Sequence, residues 1–207
     1  MLKQFFIGAL ALFATNVFVA SAQEIDPSLY SGLEARLVGP ASMSGRIAAV
    51  DAVADNPNKI VIGASTGGVW ISENGGLNWT PVSDDQPVAS IGAVAINQTN
   101  PDIIWVGTGE GNVRNSTSVG GGVFKSLDGG ETWTNIGLEG TERIHRIALH
   151  PTNPDIAFIA ALGPLWSAGE DRGLYRTEDG GASWEKILYV NDSTGATDIR
   201  MMPGNPD

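Results

Sequence analysis

The sequence predicts an all-β chain of four-stranded antiparallel units stacked as propeller blades, with three whole blades and the start of a fourth. Three observations carry this. First, an eight-residue box recurs at Ser72-Glu73-Asn74-Gly75-Gly76-Leu77-Asn78-Trp79, Ser126-Leu127-Asp128-Gly129-Gly130-Glu131-Thr132-Trp133 and Thr177-Glu178-Asp179-Gly180-Gly181-Ala182-Ser183-Trp184. Its tryptophans lie 54 and 51 residues apart, a period that marks stacked repeats or blades. Second, an Asn-Pro step recurs once per unit at Asn56-Pro57, Asn100-Pro101, Asn153-Pro154 and Asn205-Pro206. Third, the segments between these markers are short, β-prone and bounded by Gly, Pro, Asn and Asp, which leaves no room for helices.

Each unit reads as four strands. The first supplies residues 47–54, 59–64, 68–71 and 78–82; the second 91–96, 103–107, 122–125 and 132–136; the third 143–149, 156–162, 173–176 and 183–188. A fourth unit opens with a strand over 195–202 and reaches Asn205-Pro206-Asp207. Propellers close with roughly four to eight blades, and an open flank is an edge that folded proteins avoid. The expectation is therefore a truncated propeller over residues 46–207, with 23–45 as a lead-in whose segment 36–39 could act as a closing strand.

The box has a local rationale. Its Gly-Gly pair allows positive φ in a hairpin turn, and the Asp or Asn side chain can satisfy the exposed amides around it. Ser72, Ser126 and Thr177 add a hydroxyl to the same turn. The tryptophan is expected to fold over its own turn, burying about 150–250 Å² of ring. Ser72, Asn74, Gly76 and Trp79, Ser126, Asp128, Gly130 and Trp133, and Thr177, Asp179, Gly181 and Trp184 are thus read as structural staples.

The chain opens with a basic Lys3, an apolar run from Phe5 and small residues at Ala20-Ser21-Ala22. That order is a secretory signal peptide over 1–22, too short and too interrupted by Thr15-Asn16 to span a bilayer. The expected location is secreted, periplasmic or at the cell surface, without membrane insertion after cleavage. The 23 acidic side chains outnumber the 12 basic ones, a surplus that repels nucleic acid. With no cysteine, neither disulfides nor thiolate metal sites support the fold. The sequons at Asn78, Asn97, Asn115 and Asn191 are read as chance in a turn-rich chain.

Together with the glycine-led strands before each box (Gly67 to Trp70, Gly121 to Phe124, Arg172 to Tyr175) and the His150-Pro151-Thr152-Asn153-Pro154-Asp155 turn, these motifs resemble the Asp-box repeat propeller superfamily. That group includes sortilin-type luminal domains, sialidases and xyloglucan-hydrolysing enzymes. The chain most resembles large exported bacterial proteins described as sortilin-like or glycosyl-hydrolase-like. The matching segments are Val38 to Ala41 with Ser44 to Ile47, Val106 to Glu110, and Ala161 to Trp166. The resemblance implies the fold; activity needs a site. Where the xyloglucan-hydrolysing enzymes carry a catalytic Asp, this chain has Ser65, which cannot serve as one of two glycosidase carboxylates. The sialidase signature is matched only at Arg46 and Ile47.

No residue is assigned a catalytic role, and no cofactor or metal is expected. Gly63-Ala64-Ser65-Thr66-Gly67 mimics a nucleophile elbow, but a strand follows it instead of the helix that motif needs. His145 and His150 fall five apart on one strand, a spacing that does not chelate. The loop over 109–122 is an insertion in the second unit, and long loops in compact domains are often functional. It carries Glu110, Asn112 and Arg114, while the equivalent loop of the third unit carries Trp166, Glu170 and Arg172. With Arg46, these form the candidate ligand-binding set. The expected function is an exported binding module for a polypeptide or polysaccharide. The alternative is a glycoside hydrolase of the two-propeller type whose carboxylates lie outside these residues.

Overall fold

The computed structural model describes residues 46–202 and Gly204. The expected signal peptide over 1–22, and the lead-in over 23–45 with its closing strand, lie outside the described residues. Those described belong to one compact unit, Ala41–Asp207.

Among the described residues, twelve strands form three sheets. The first holds β1 (Ile47–Val53), β2 (Asn56–Ala64), β3 (Gly68–Ser72) and β4 (Thr80–Pro81). The second holds β5 (Ile91–Ile96), β6 (Ile104–Thr108), β7 (Val123–Ser126) and β8 (Thr134–Asn135). The third holds β9 (Ile144–Leu149), β10 (Ala157–Ala161), β11 (Gly173–Thr177) and β12 (Glu185–Leu188). Each is an antiparallel meander in chain order, and the first strands β1, β5 and β9 of successive sheets lie beside one another. This is the β-propeller blade arrangement. The only helical element among the described residues is a 3-10 turn, Glu139–Thr141.

The middle blade explains the packing. All six residues of β5 are buried, because each face meets a different neighbour. Val94 and Ile96 join Val53, Val61, Val69 and Ile71 of the first blade, while Ala93 and Ala95 meet Ile144, Ile147 and Ile159 of the third. The alternating side chains of a strand thus divide between two cores. In β1, Ile47 and Val50 remain exposed.

The expected strand over 195–202 is not formed. Its start is tied to the third blade by the Ala196 amide on the Ala161 carbonyl at 3.0 Å. Further along, Asp198 accepts from Arg146 Nε at 3.1 Å. A strand needs a ladder of backbone bonds, and the described residues give this segment no hairpin partner.

The boxes repeat one hydrogen-bond set. In the second, Ser126 Oγ donates to Asp128 Oδ1 at 2.7 Å and accepts the Gly130 amide at 2.8 Å. Asp128 also accepts the Thr132 amide at 2.9 Å and the Thr132 hydroxyl at 2.5 Å. Thr177, Asp179, Gly181 and Ser183 repeat this. In the first box, Asn74 accepts only the Ser72 hydroxyl and the Asn78 amide. Both glycines of the pair have positive φ, 74° and 98° at Gly129 and Gly130, as a left-handed turn requires. The first glycine binds the Asn-Pro turn of its own blade: Gly75 to Asn58 O, Gly129 to Asp102 O and Gly180 to Asp155 O, each at 2.9 Å. The two sequence markers are therefore in contact.

For Trp133 and Trp184 the expected role is corrected by the structure, because the ring reaches the preceding blade, whereas Trp79 lies against its own turn, 3.5 Å from where a Cβ on Gly76 would stand. Trp133 Nε1 donates to Val82 O at 2.6 Å, and Trp184 Nε1 to Ile136 O at 2.7 Å. Trp184 also stands edge-on to Trp105, centroids 6.2 Å apart. The second glycine lets the turn approach that blade: a Cβ on Gly130 would come within 2.9 Å of Ile71 Cδ1, and one on Gly181 within 2.5 Å of Ile136 Cδ1. A short hairpin has little apolar surface of its own, whereas the neighbouring sheet offers both surface and an unused carbonyl. Lys125 adds a further bridge, donating to Gly180 O at 2.9 Å while lying over the Trp105 ring.

Two outcomes are expected. Trp133→Phe keeps most of the ring and loses the bond to Val82 O, costing about 1 kcal/mol in urea unfolding, whereas Trp133→Ala costs about 3–5 kcal/mol. The Asp128 and Asp179 carboxyls are each held down to about 2, first by the side-chain hydroxyl and then by the amide of Thr132 or Ser183. A depressed carboxyl stabilises the fold fully above its unfolded value near 3.8, and that contribution is lost as pH falls through about 2. Asp128→Asn is expected to remove part of the fall in melting temperature between these pH values.

Candidate functional site

The loops joining second to third strands differ between blades. In the first blade the connection is residues 65–67, in the second 109–122 and in the third 162–172. The long loop of the second blade is closed at its neck. The Glu110 amide donates to Ser118 O at 3.2 Å, and Ser90 Oγ accepts from that amide and donates to Ser118 O, both at 3.1 Å. Thr108 Oγ1 accepts the Gly121 amide at 2.8 Å and donates to Gly122 O at 2.6 Å. The neck docks on the third blade through the Gly120 amide on Glu142 O at 2.6 Å.

The candidate set divides into three places. Arg46 and Glu110 form an ion pair beneath the neck, where Glu110 is fully buried with Oε2 unpaired. Asn112 and Arg114 are exposed at the loop tip. Trp166, Glu170 and Arg172 lie in the third blade's loop. Arg172 is buried and holds that loop in shape, donating to the carbonyls of Asp192 (2.7 Å), Leu162 (2.5 Å), Pro164 (2.5 Å) and Ser167 (2.8 Å). Glu170 is exposed, and its carbonyl accepts Lys186 Nζ at 2.5 Å. Trp166 stands 76% exposed.

Between the two loops is a cleft of 220 Å³, walled by Thr117 and Val119 from the second blade and by Pro164, Leu165, Trp166 and Ser167 from the third. Glu142 and Arg143 complete its lining, two residues that the sequence reading left out of the candidate set. Glu142 has φ 53° and ψ −36°, a strained conformation for a residue with a side chain. Arg143 is 4% exposed, and its Nε donates to Gly163 O at 2.7 Å while Nη1 has no protein partner. Burial lowers the Arg143 pKa, the Arg172 charge adds to that, and the Glu142 carboxylate opposes both. A repeat-by-repeat alignment could have found Arg143. Its carbonyl accepts the Leu162 amide at 2.9 Å, as Arg46 O accepts Ser65 N at 2.8 Å and Ser90 O accepts Gly109 N at 2.7 Å.

None of the remaining sequence candidates lines this cleft. Ser65 is fully buried in a hairpin between β2 and β3. His150 Nδ1 accepts the amides of Thr152 (3.2 Å) and Asn153 (2.9 Å). In the second blade, Asn97 Oδ1 does the same for Thr99 and Asn100, both at 2.9 Å. His145 is half-buried in β9, its pKa lowered first by burial and then by Arg146, against the opposing charge of Asp198. Among the described residues, no group of three or more His, Cys, Asp or Glu is placed to hold a metal ion.

Three four-stranded blades set side by side through their first strands define a β-propeller. A family model described as Sortilin, neurotensin receptor 3 (Sortilin-Vps10) matches residues 67–196, and the chain belongs to that family. No curated protein matches it. Among solved structures it is similar to an ancestral GH74 enzyme (TM-score 0.53, 22% identity, 72% of this chain and 20% of that one). It is also similar to the GH74 enzyme of Niastella koreensis (0.52, 23%, 70% and 21%). A third similar structure is YCF48 bound to D1 peptide (0.50, 16%, 72% and 42%). The chain thus spans about a fifth of the length of the GH74 enzymes, and the likeness is one of fold.

Arg172→Ala is expected to release residues 163–170, costing about 2–3 kcal/mol because a charged donor set is lost. The check is limited proteolysis, with new cleavage in this loop and none in the loop over 109–122.

Proposed function

We propose that this chain is an exported propeller module that binds a polypeptide or glycan ligand at the rim of its second and third blades. The observation that carries the reading is the cleft itself, where an exposed indole stands among apolar side chains beside Glu142 and the buried Arg143. Ligand sites are commonly concave, mostly apolar and furnished with a few aimed polar groups. A related fold in YCF48 is solved with a peptide bound, which supports the use of such a scaffold for ligand capture. Export follows from the order of Lys3, the apolar run from Phe5 and Ala20-Ser21-Ala22. Of the sequence candidates, Trp166 is the contact residue. Arg46 with Glu110, and Arg172, position the two loops, while Asn112 and Arg114 extend the rim.

A second reading, a glycoside hydrolase, is favoured by the likeness to GH74 enzymes. Ser65 stands against it, since it fills the position of a catalytic carboxylate and is buried.

Trp166→Ala tests the first reading. Its indole is exposed, so the melting temperature is expected to hold while affinity for the protein's ligand falls about tenfold or more. Affinity equal to the parent's would move the site elsewhere. Release of reducing sugar from β-glucans by the protein would establish the hydrolase instead.

A further inference from the structure

The cleft has a composition that the sequence did not show, and it narrows the ligand. Glu142 and Arg143 are adjacent in the chain, carry opposite charges and both line the cleft. The Glu142 carboxylate is near enough to act on the Arg143 charge. Strain of the kind seen at Glu142 persists only where its surroundings hold it, and it concentrates at functional sites. Here the hold is visible: the Glu142 carbonyl takes the Gly120 amide at 2.6 Å, so docking of the long loop keeps this backbone in place. The same loop brings Thr117 and Val119 to the opposite wall.

We infer that this cleft is a subsite for one pyranose ring of a neutral saccharide, with the ring on Trp166 and a hydroxyl bonded to Glu142, whose charge the buried Arg143 offsets. The inference rests on the binding reading above and chooses the glycan over the polypeptide. An ionised carboxylate only accepts hydrogen bonds, and a sugar hydroxyl can donate one to it. A neutral hydroxyl therefore satisfies Glu142 without adding charge beside Arg143, whose Nη1 is enclosed by protein. Thr117 and Ser167 offer further hydroxyls in the walls. Trp166, Pro164, Leu165 and Val119 supply the apolar surface that the C–H face of a pyranose needs. An anionic ligand fits less well, because Glu142 offsets Arg143 and the chain carries a net charge of −11.

The test is calorimetric titration of the protein with cellohexaose, mannohexaose, a hexameric oligogalacturonate and a hexaglutamate peptide. At least one neutral hexaose is expected to bind, about tenfold or more tighter than the galacturonate or the peptide. Trp166→Ala lowers that affinity about tenfold with no change in melting temperature. Glu142→Gln weakens the neutral hexaose and shifts the preference towards galacturonate by about fivefold or more, a swap that a merely structural glutamate would not produce. Tighter binding of galacturonate or peptide by the parent protein overturns the inference. So does neutral-hexaose binding that is indifferent to both substitutions. Peptide binding that is lost in Trp166→Ala would overturn this inference alone, whereas no ligand sensitive to Trp166→Ala would overturn the binding reading as well.

Discussion

Trp133 and Trp184, which end the second and third boxes, hold the blades in register, and the rim depends on them. A propeller blade has two faces to bury and one neighbour on each side, so its stability lies between sheets as much as within them. Trp133 and Trp184 each place a ring in the cleft between blades and spend the indole N–H on a carbonyl three residues past the previous tryptophan, Val82 or Ile136. The apolar surface is the larger contribution, since a ring of this size buries more than any other side chain. The hydrogen bond adds direction, fixing where one sheet sits on the next. Ser126 with Asp128, and Thr177 with Asp179, prepare this contact by setting the turn that aims the ring.

That register decides what the loops can do. The neck of the second blade's loop reaches Glu142 only because β5 and β9 are side by side. Arg143 lies under the third blade's own loop through its bond to Gly163 O. The cleft therefore belongs to a pair of blades, and no single repeat encodes it. Arg172 shows the same division of labour: a buried cation satisfied by carbonyls keeps the loop shaped while Trp166 stays free at its surface.

The blades were legible in the sequence because their signals are local. Box, Asn-Pro turn and strand all lie within one repeat, and β5 falls on the residues expected of it, Ile91–Ile96. The outermost strands came out shorter than expected, Thr134–Asn135 instead of 132–136. Such a strand has one ladder partner, and the Thr132 amide at its start is already committed to Asp128. The role of the tryptophan was misread because its partner lies a whole blade away, at Val82 for Trp133. Of the site, Trp166 was legible as an aromatic in a polar loop. Glu142 and Arg143 were not, since in sequence they look like the approach to a strand. Their importance comes from backbone strain and from a loop contributed by another repeat.

Hydrogen exchange on Trp184→Phe tests the interblade role of the box tryptophan most directly, because this residue joins the two blades that form the cleft. Removing its bond to Ile136 O is expected to lower protection of the Val123 and Ile136 amides in the second blade. The Gly180, Gly181 and Ser183 amides, held by Asp155, Thr177 and Asp179, are expected to keep theirs. Loss of protection confined to residues 179–183, with the second blade unchanged, would mean that the tryptophan seals only its own turn and would contradict the account.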